Sequence, residues 1–286
     1  MPWAAGGDLS ATQITCVCGN RDDAIGSGGD DAIGYRLDTS EYNGTSWAVG
    51  GGLAVARGRG GGGGNSTDAI FQGGEKAAEN PADDTEEYNG TSWAAGGNLA
   101  TSRRLQAGGG STTDAIATSG RGAVANTTSV EEYNGTSWAA GGSVNTARQG
   151  LVGAGNSTTG ICMGGFTTAD STEVETYNGT TWDATVPALN TARDALFGGG
   201  TTTSAFAAGG EPATAQTETF NGTTWTDEAS DLATARWAYS GGNGGNRLNA
   251  IVAGGKNAVG DFILSTEEWS GLVARAQLMA MMGVGN

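Results

Sequence analysis

The chain has 286 residues, 53 of them glycine, with 14 lysines and arginines against 30 aspartates and glutamates and no histidine, for a formal charge of -16. A field of that sign repels nucleic acid and anionic membranes, so neither is an expected partner, and the lack of histidine removes the usual ligand of copper sites. No apolar run approaches the roughly 20 residues that cross a bilayer, and Met1-Pro2-Trp3-Ala4 does not open like a secretory leader, so these features by themselves leave the cytoplasm as the expected location.

In chain order, Pro2-Trp3-Ala4-Ala5-Gly6-Gly7 reads as the second half of a unit whose whole copies follow. Cys16 and Cys18 alternate along one strand face and Cys162 stands far away, an odd set that suits small buried hydrophobes better than a disulfide framework. Tyr42-Asn43-Gly44-Thr45-Ser46-Trp47 is then copied in forms ending at Trp93, Trp138, Trp182 and Trp225, at spacings of 43 to 46 residues. Between copies the order is constant: an L-x-T-A-R-like stretch, a glycine-rich run, a short apolar run ending in Gly-Gly, a variable loop, and E-x-aromatic before the next Asn-Gly. Composition alone leans towards disorder, but a strict repeat of this length does not.

Each unit divides at its glycines into four segments too short for helices, which is the pattern of a propeller blade. We name them a (opening at the arginine), b (ending at Gly-Gly), c (ending at Tyr or Phe) and d (carrying Trp). Runs such as Gly60 to Gly64 are expected to turn the chain between a and b. Asn-Gly between c and d predicts a two-residue type I′ hairpin, in which Tyr42 faces Thr45 and Ser40 faces Trp47. Tyr42 and Trp47 then lie diagonally on one face, as do Tyr88 and Trp93, Tyr133 and Trp138, Tyr177 and Trp182, and Phe220 and Trp225. These aromatics are expected to fill the gap between blades that a leucine-poor chain leaves open.

The last repeat stops at Glu267-Glu268-Trp269-Ser270-Gly271, complementary to the half-unit at Trp3. If the two ends pair, the fold is all-β: a six-bladed propeller of four-stranded antiparallel blades over residues 1–271, closed without an open edge. Residues 272–286 are left as a tail with Leu272, Leu278, Met279, Met281 and Met282, an expected anchoring segment or a plug for its own ring.

Gly-Gly ending the second strand, E-x-aromatic in the third, Trp in the fourth and a basic residue opening the next unit together resemble the kelch repeat. The glycine-rich, tightly turned variant is similar to repeats of marine phage and environmental viral proteins. The resemblance implies a propeller whose loops bind partners; fold alone assigns no function.

Arg57, Arg103, Arg148, Arg193 and Arg236 either form a ring of anion-binding groups around the axis or pair within each blade with Glu86, Glu131, Glu175, Glu218 and Glu267. Pairing is the expected arrangement, because the remaining blade lacks both partners, having Gln13 and Ser40 instead. The units depart from one another mainly in the loops between b and c: Glu75 to Asp84, Arg121 to Ser129, Phe166 to Ser171 and Lys256 to Ile263. Glu75, Lys76, Asp83, Asp84, Arg121, Asn126, Phe166, Asp170, Lys256, Asn257 and Asp261 are therefore the candidate binding residues, since a rigid frame with variable loops is how scaffolds present contacts. No catalytic residue, metal or cofactor is expected. Asn65-Ser66-Thr67-Asp68 and Asp114 read as solvated turns, and the Asn-Gly-Thr sequons as turn chemistry. The expected role is a non-enzymatic binding or structural module of a virion, contacting other virion proteins or a host-surface glycan or protein. An intracellular kelch-type adaptor and a lectin-like propeller are the alternatives, and a carbohydrate-active enzyme would need two carboxylates converging in one pocket.

Overall fold

The computed structural model describes residues 3–10, 14–76, 80–239 and 242–271. Six antiparallel four-stranded sheets stand in a ring, and the described residues include no helix. Blade 1 has strands Ile14–Gly19, Ala24–Asp30, Thr39–Tyr42 and Trp47–Val49. Blade 2 has Gly61–Gly64, Ala69–Gln72, Thr85–Tyr88 and Trp93–Ala95. Blade 3 has Ala107–Gly110, Ala115–Thr118, Val130–Tyr133 and Trp138–Ala140. Blade 4 has Val152–Gly155, Gly160–Met163, Val174–Tyr177 and Trp182–Asp183. Blade 5 has Phe197–Thr201, Ser204–Ala208, Thr217–Phe220 and Trp225–Asp227. Blade 6 takes Gly245–Asn246, Asn249–Ala253 and Thr266–Ser270 from the end of the chain and Trp3–Ala5 from its beginning. Trp3 lies opposite Trp269, so the ring closes through the two ends.

Three local expectations are corrected. The c–d turn has four residues, not two: Tyr42 faces Trp47 directly, and Ser40 faces Val49. Asn43 caps this loop by accepting the N–H groups of Thr45 and Ser46 on its Oδ1, while Gly44 alone takes the positive φ (85°). The aromatic pairs are therefore opposed rather than diagonal, with centroids 4.9 Å apart for Tyr42 and Trp47. Secondly, Gly61–Gly64 is not a turn but the whole innermost strand of blade 2. Innermost strands of successive blades are neighbours at the axis, and a Cβ on Gly63 would lie 2.5 Å from the backbone of Gly110. Glycine is required there because the central strands approach more closely than any side chain permits.

Thirdly, each arginine stands outside its a strand, in the loop that enters it: four residues before the strand for Arg57, Arg103, Arg148 and Arg193, and nine before it for Arg236. Arg57, Arg103, Arg148 and Arg236 are wholly buried and Arg193 nearly so, which leaves no ring of guanidinium groups exposed at the axis. Arg57 donates to the carbonyls of Gly73 and Asp84 and pairs with Glu86 at 3.1 Å, all in its own blade. Arg148 reaches Glu175 at 2.9 Å and Arg236 reaches Glu267 at 2.8 Å; Arg103 pairs with Glu131 and Arg193 with Glu218. The guanidinium thus staples the ends of strands b and c where Gly-Gly interrupts the ladder. Gln13 and the tail lie outside the described residues; Ser40 is buried.

Blades are joined by a second set of polar ties. The indoles of Trp47, Trp93, Trp138 and Trp3 donate to Thr266, Thr39, Thr85 and Thr217 of the preceding blade, at 2.8 to 3.1 Å. The hydroxyls of Tyr42, Tyr88, Tyr133 and Tyr177 donate to Glu268, Glu41, Glu87 and Glu132, again in the preceding blade. At the next two steps the motif changes: Phe220 has no hydroxyl and Thr176 stands in place of the glutamate, while Trp269 faces the carbonyl of Arg247 instead.

Candidate functional site

In a blade, the b–c loop and the d–a loop leave from the same end of the sheet, and near the axis they cross. The residue after Gly-Gly (Ser119-Gly120 in blade 3) bridges to the residue after the arginine: Glu75 to Gly58, Arg121 to Arg104, Phe166 to Gln149, Glu211 to Asp194 and Lys256 to Trp237. One residue further on, a chain of backbone hydrogen bonds runs from blade to blade, Leu105 to Arg59, Gly150 to Leu105, Ala195 to Gly150 and Ala238 to Ala195, at 2.7 to 2.9 Å. Arg59, Leu105, Gly150 and Ala195 all take positive φ to make it. This backbone collar, joining blades 2 to 6, holds five structurally equivalent side chains, Glu75, Arg121, Phe166, Glu211 and Lys256, around one mouth, and Asp30, opposite Ile14, takes the equivalent place in blade 1.

Those six positions carry four kinds of chemistry on an otherwise repeating frame. On one side, Glu75 is completely buried between Arg59 (3.1 Å) and Arg104 (2.5 Å), and Arg59 also faces Asp30 at 3.8 Å. Burial raises the Asp30 carboxyl, with Arg59 and Lys256 opposing, and burial beside Glu75 raises the Tyr35 hydroxyl. The ammonium of Lys256 sits over the ring of Phe262 (4.4 Å) and beside that of Trp237 (5.6 Å).

On the other side lies a cleft of about 350 Å³ lined by Gln149, Phe166, Asp170, Asp194, Glu211, Pro212 and Tyr239. Asp194 is only 5% exposed, and burial together with Asp170 and Glu211 pushes its carboxyl up to about 7. Burial and Glu211 raise Asp170 as well. The Tyr239 hydroxyl donates to Glu211 at 2.7 Å, and burial with that bond raises its own ionisation. Among the described residues no three His, Cys, Asp or Glu side chains are placed to hold a metal ion.

The candidate loop residues divide accordingly. Glu75, Arg121, Phe166 and Lys256 meet at the mouth, and Asp170 joins them from the cleft wall. Asn126 reaches across to the carbonyl of Phe166 at 3.1 Å. Lys76 and Asp84 pair with each other beside Arg57, and Asp83 supports Leu99 through its carbonyl. Asn257 and Asp261 close their own turn. Sequence reasoning missed Asp30, Arg59, Arg104, Asp194, Glu211 and Tyr239. The signal was available for some of them: the residue after each glycine pair and the residue after each repeated arginine vary in charge from unit to unit.

Asp68 and Asp114 bind the backbone of the next blade's turn, Thr112 and Ser157, rather than facing solvent as loose turns. The thiols of Cys16, Cys18 and Cys162 are buried, and burial pushes Cys162 up to about 12, which leaves it inert.

Neither a family model nor a curated protein matches the chain. The resemblance to kelch repeats therefore rests on the residues of the repeat alone, and what the structure shows is the six-bladed propeller.

Proposed function

We propose that this propeller is a non-enzymatic binding module that engages a partner with the mouth formed by its b–c and d–a loops, and that it does so on a virus particle, in decoration, fibre attachment or host recognition. One observation carries the binding reading. Six equivalent positions hold Asp30, Glu75, Arg121, Phe166, Glu211 and Lys256, and the four of them that keep exposed surface, Arg121, Phe166, Glu211 and Lys256, break the symmetry of the repeat where a partner would touch. A frame held by buried ion pairs and aromatic ties keeps those side chains in place, which lowers the ordering cost of association. The viral setting is supported by the similarity of the glycine-rich repeats to those of phage and environmental viral proteins. The partners in that setting are other virion proteins or a glycan or protein of the host surface.

Density-gradient fractionation of source material tests the setting: recovery with particles at fixed stoichiometry is expected, and recovery wholly as free protein would replace it with the adaptor or lectin reading. Arg121→Glu and Lys256→Glu, at the mouth but outside the cleft, test the face; both are expected to release the protein from particles without changing its fold.

A glycoside-cleaving reading is favoured by one observation, the convergence of Asp170, Asp194 and Glu211 in one cleft with Asp194 held protonated to about pH 7. Hydrolysis of aryl glycosides that disappears in Asp194→Asn would establish it over the binding reading.

A further inference from the structure

The acidic cleft contains an unusual excess of hydrogen-bond acceptors. Asp194, nineteen-twentieths buried, receives a hydrogen bond from no other residue among those described, only from its own backbone N–H. Gln149 Oε1, in the same wall, is buried and has no donor. Glu211 is reached by the Tyr239 hydroxyl alone, and no lysine or arginine lines the cleft. Buried acceptors of this kind are costly unless something donates to them.

The repeat supplies its own comparison. In blade 2 the glutamate after Gly-Gly, Glu75, is neutralised by Arg59 of its own blade and Arg104 of the next. At the equivalent positions around Glu211 stand Ala195 and Trp237, neither of which carries charge. Phe166, Pro212 and Tyr239 provide the rest of the wall, surfaces suited to methylene groups or to the flank of a cation. With room for several heavy atoms beside these apolar and aromatic surfaces, the cleft suits an organic cation.

We propose that the cleft bounded by Gln149, Phe166, Asp170, Asp194, Glu211 and Tyr239 binds one organic cation, the primary ammonium group of a lysyl side chain or of a free alkylamine. The ammonium supplies three donors where Asp194, Gln149 and Asp170 present acceptors, and occupies the place that guanidinium groups hold around Glu75. This rests on the reading of the mouth as the binding face, and names the chemistry of one part of its partner.

Calorimetric titration of the intact protein with n-butylammonium chloride and with Nα-acetyl-lysine amide tests it, against sodium chloride at equal ionic strength and the Nε-acetylated lysine compound. Binding of an ammonium probe with a Kd on the order of millimolar is expected, with no binding of the Nε-acetylated compound. Asp194→Asn, nearly isosteric, is expected to weaken binding about tenfold or more, and Asp183→Asn, on an exposed outer strand, to leave it unchanged. Equal binding of both probes identifies a free amine as a sufficient ligand; binding of the lysine amide alone identifies a lysyl partner. No binding by either probe, or equal binding by wild type and a folded Asp194→Asn, overturns the proposal. If it fails while Arg121→Glu and Lys256→Glu still release the protein from particles, the mouth remains the binding face; if those substitutions change nothing, that reading fails separately.

Discussion

Trp182 and Val130 share one buried cluster, and the indole N–H of Trp182 has no acceptor among the described residues. Val130 occupies the first position of strand c, where Thr39, Thr85, Thr217 and Thr266 each receive the tryptophan N–H of the following blade. Blade 4 has a valine there too, Val174, and Trp225 donates instead to the carbonyl of Pro187 at 3.0 Å. Val130→Thr should therefore stabilise the protein by about 1 kcal/mol, and Thr85→Val should destabilise it by about as much. Urea midpoints at unchanged slope check both; a loss of stability in Val130→Thr would show that the indole is satisfied in solution by water.

The intrablade ion pairs are expected to be costly to break singly. Glu131→Ala leaves the fully buried Arg103 without its carboxylate, at a cost of about 3–5 kcal/mol, whereas the double change Arg103→Met with Glu131→Met should cost less than the sum of its parts. A double-mutant cycle from denaturant unfolding reads the coupling directly, and additive effects would mean that the pair is not coupled.

Tyr42 and Tyr88, beside Glu268 and Glu41, have their hydroxyls pushed up to about 12 by burial and by those carboxylates. The folded state then keeps protons that the unfolded chain loses near pH 10. Their contribution to stability is complete below pH 10 and is lost as pH rises from there to about 12. Alkaline unfolding followed by tyrosinate absorbance should be cooperative, and Tyr88→Phe should reduce its steepness.

Asp194 behaves in the same sense at lower pH. Its carboxyl is raised from 3.8 to about 7 by burial, Asp170 and Glu211, with Tyr239 also facing the cleft. Its contribution is complete below about pH 4 and is lost as pH rises through 7. Asp194→Asn should be neutral near pH 4 and stabilising at pH 8, as expected of a site that sacrifices stability for binding. Thermal melts across that range check it; a variant less stable than wild type at pH 8 would show that the carboxylate has partners in solution.

At the axis, Gly63→Ala is expected to cost about 3 kcal/mol or prevent folding, because its Cβ would meet the Gly110 backbone at 2.5 Å. Gly34→Ala offers the comparison: it has the positive φ (148°) that Gly63 lacks, and nothing lies within 4 Å of the added methyl. Far-ultraviolet circular dichroism and melting of the two variants separate crowding from backbone strain.

Much of this architecture was legible in the repeat. Four short segments per unit, the Asn-Gly turns, the complementary ends and the joint loss of Arg and Glu in one unit are all local patterns, and a propeller blade is a local structure. Sequence recorded which residues repeat, and so located the first glutamate of Glu86-Glu87-Tyr88 as a partner for Arg57. It did not disclose that the second, Glu87, belongs to Tyr133 of the following blade, because that contact depends on how neighbouring sheets lean together. Nor could spacing show that a run of four glycines is a strand, since such a run satisfies a turn equally well; only the close approach of neighbouring central strands decides it. The mouth is the clearest division. Asp30 stands in blade 1, Asp194 and Glu211 in blade 5 and Tyr239 in the loop entering blade 6, and only the backbone bonds between neighbouring blades bring residues so scattered to one mouth.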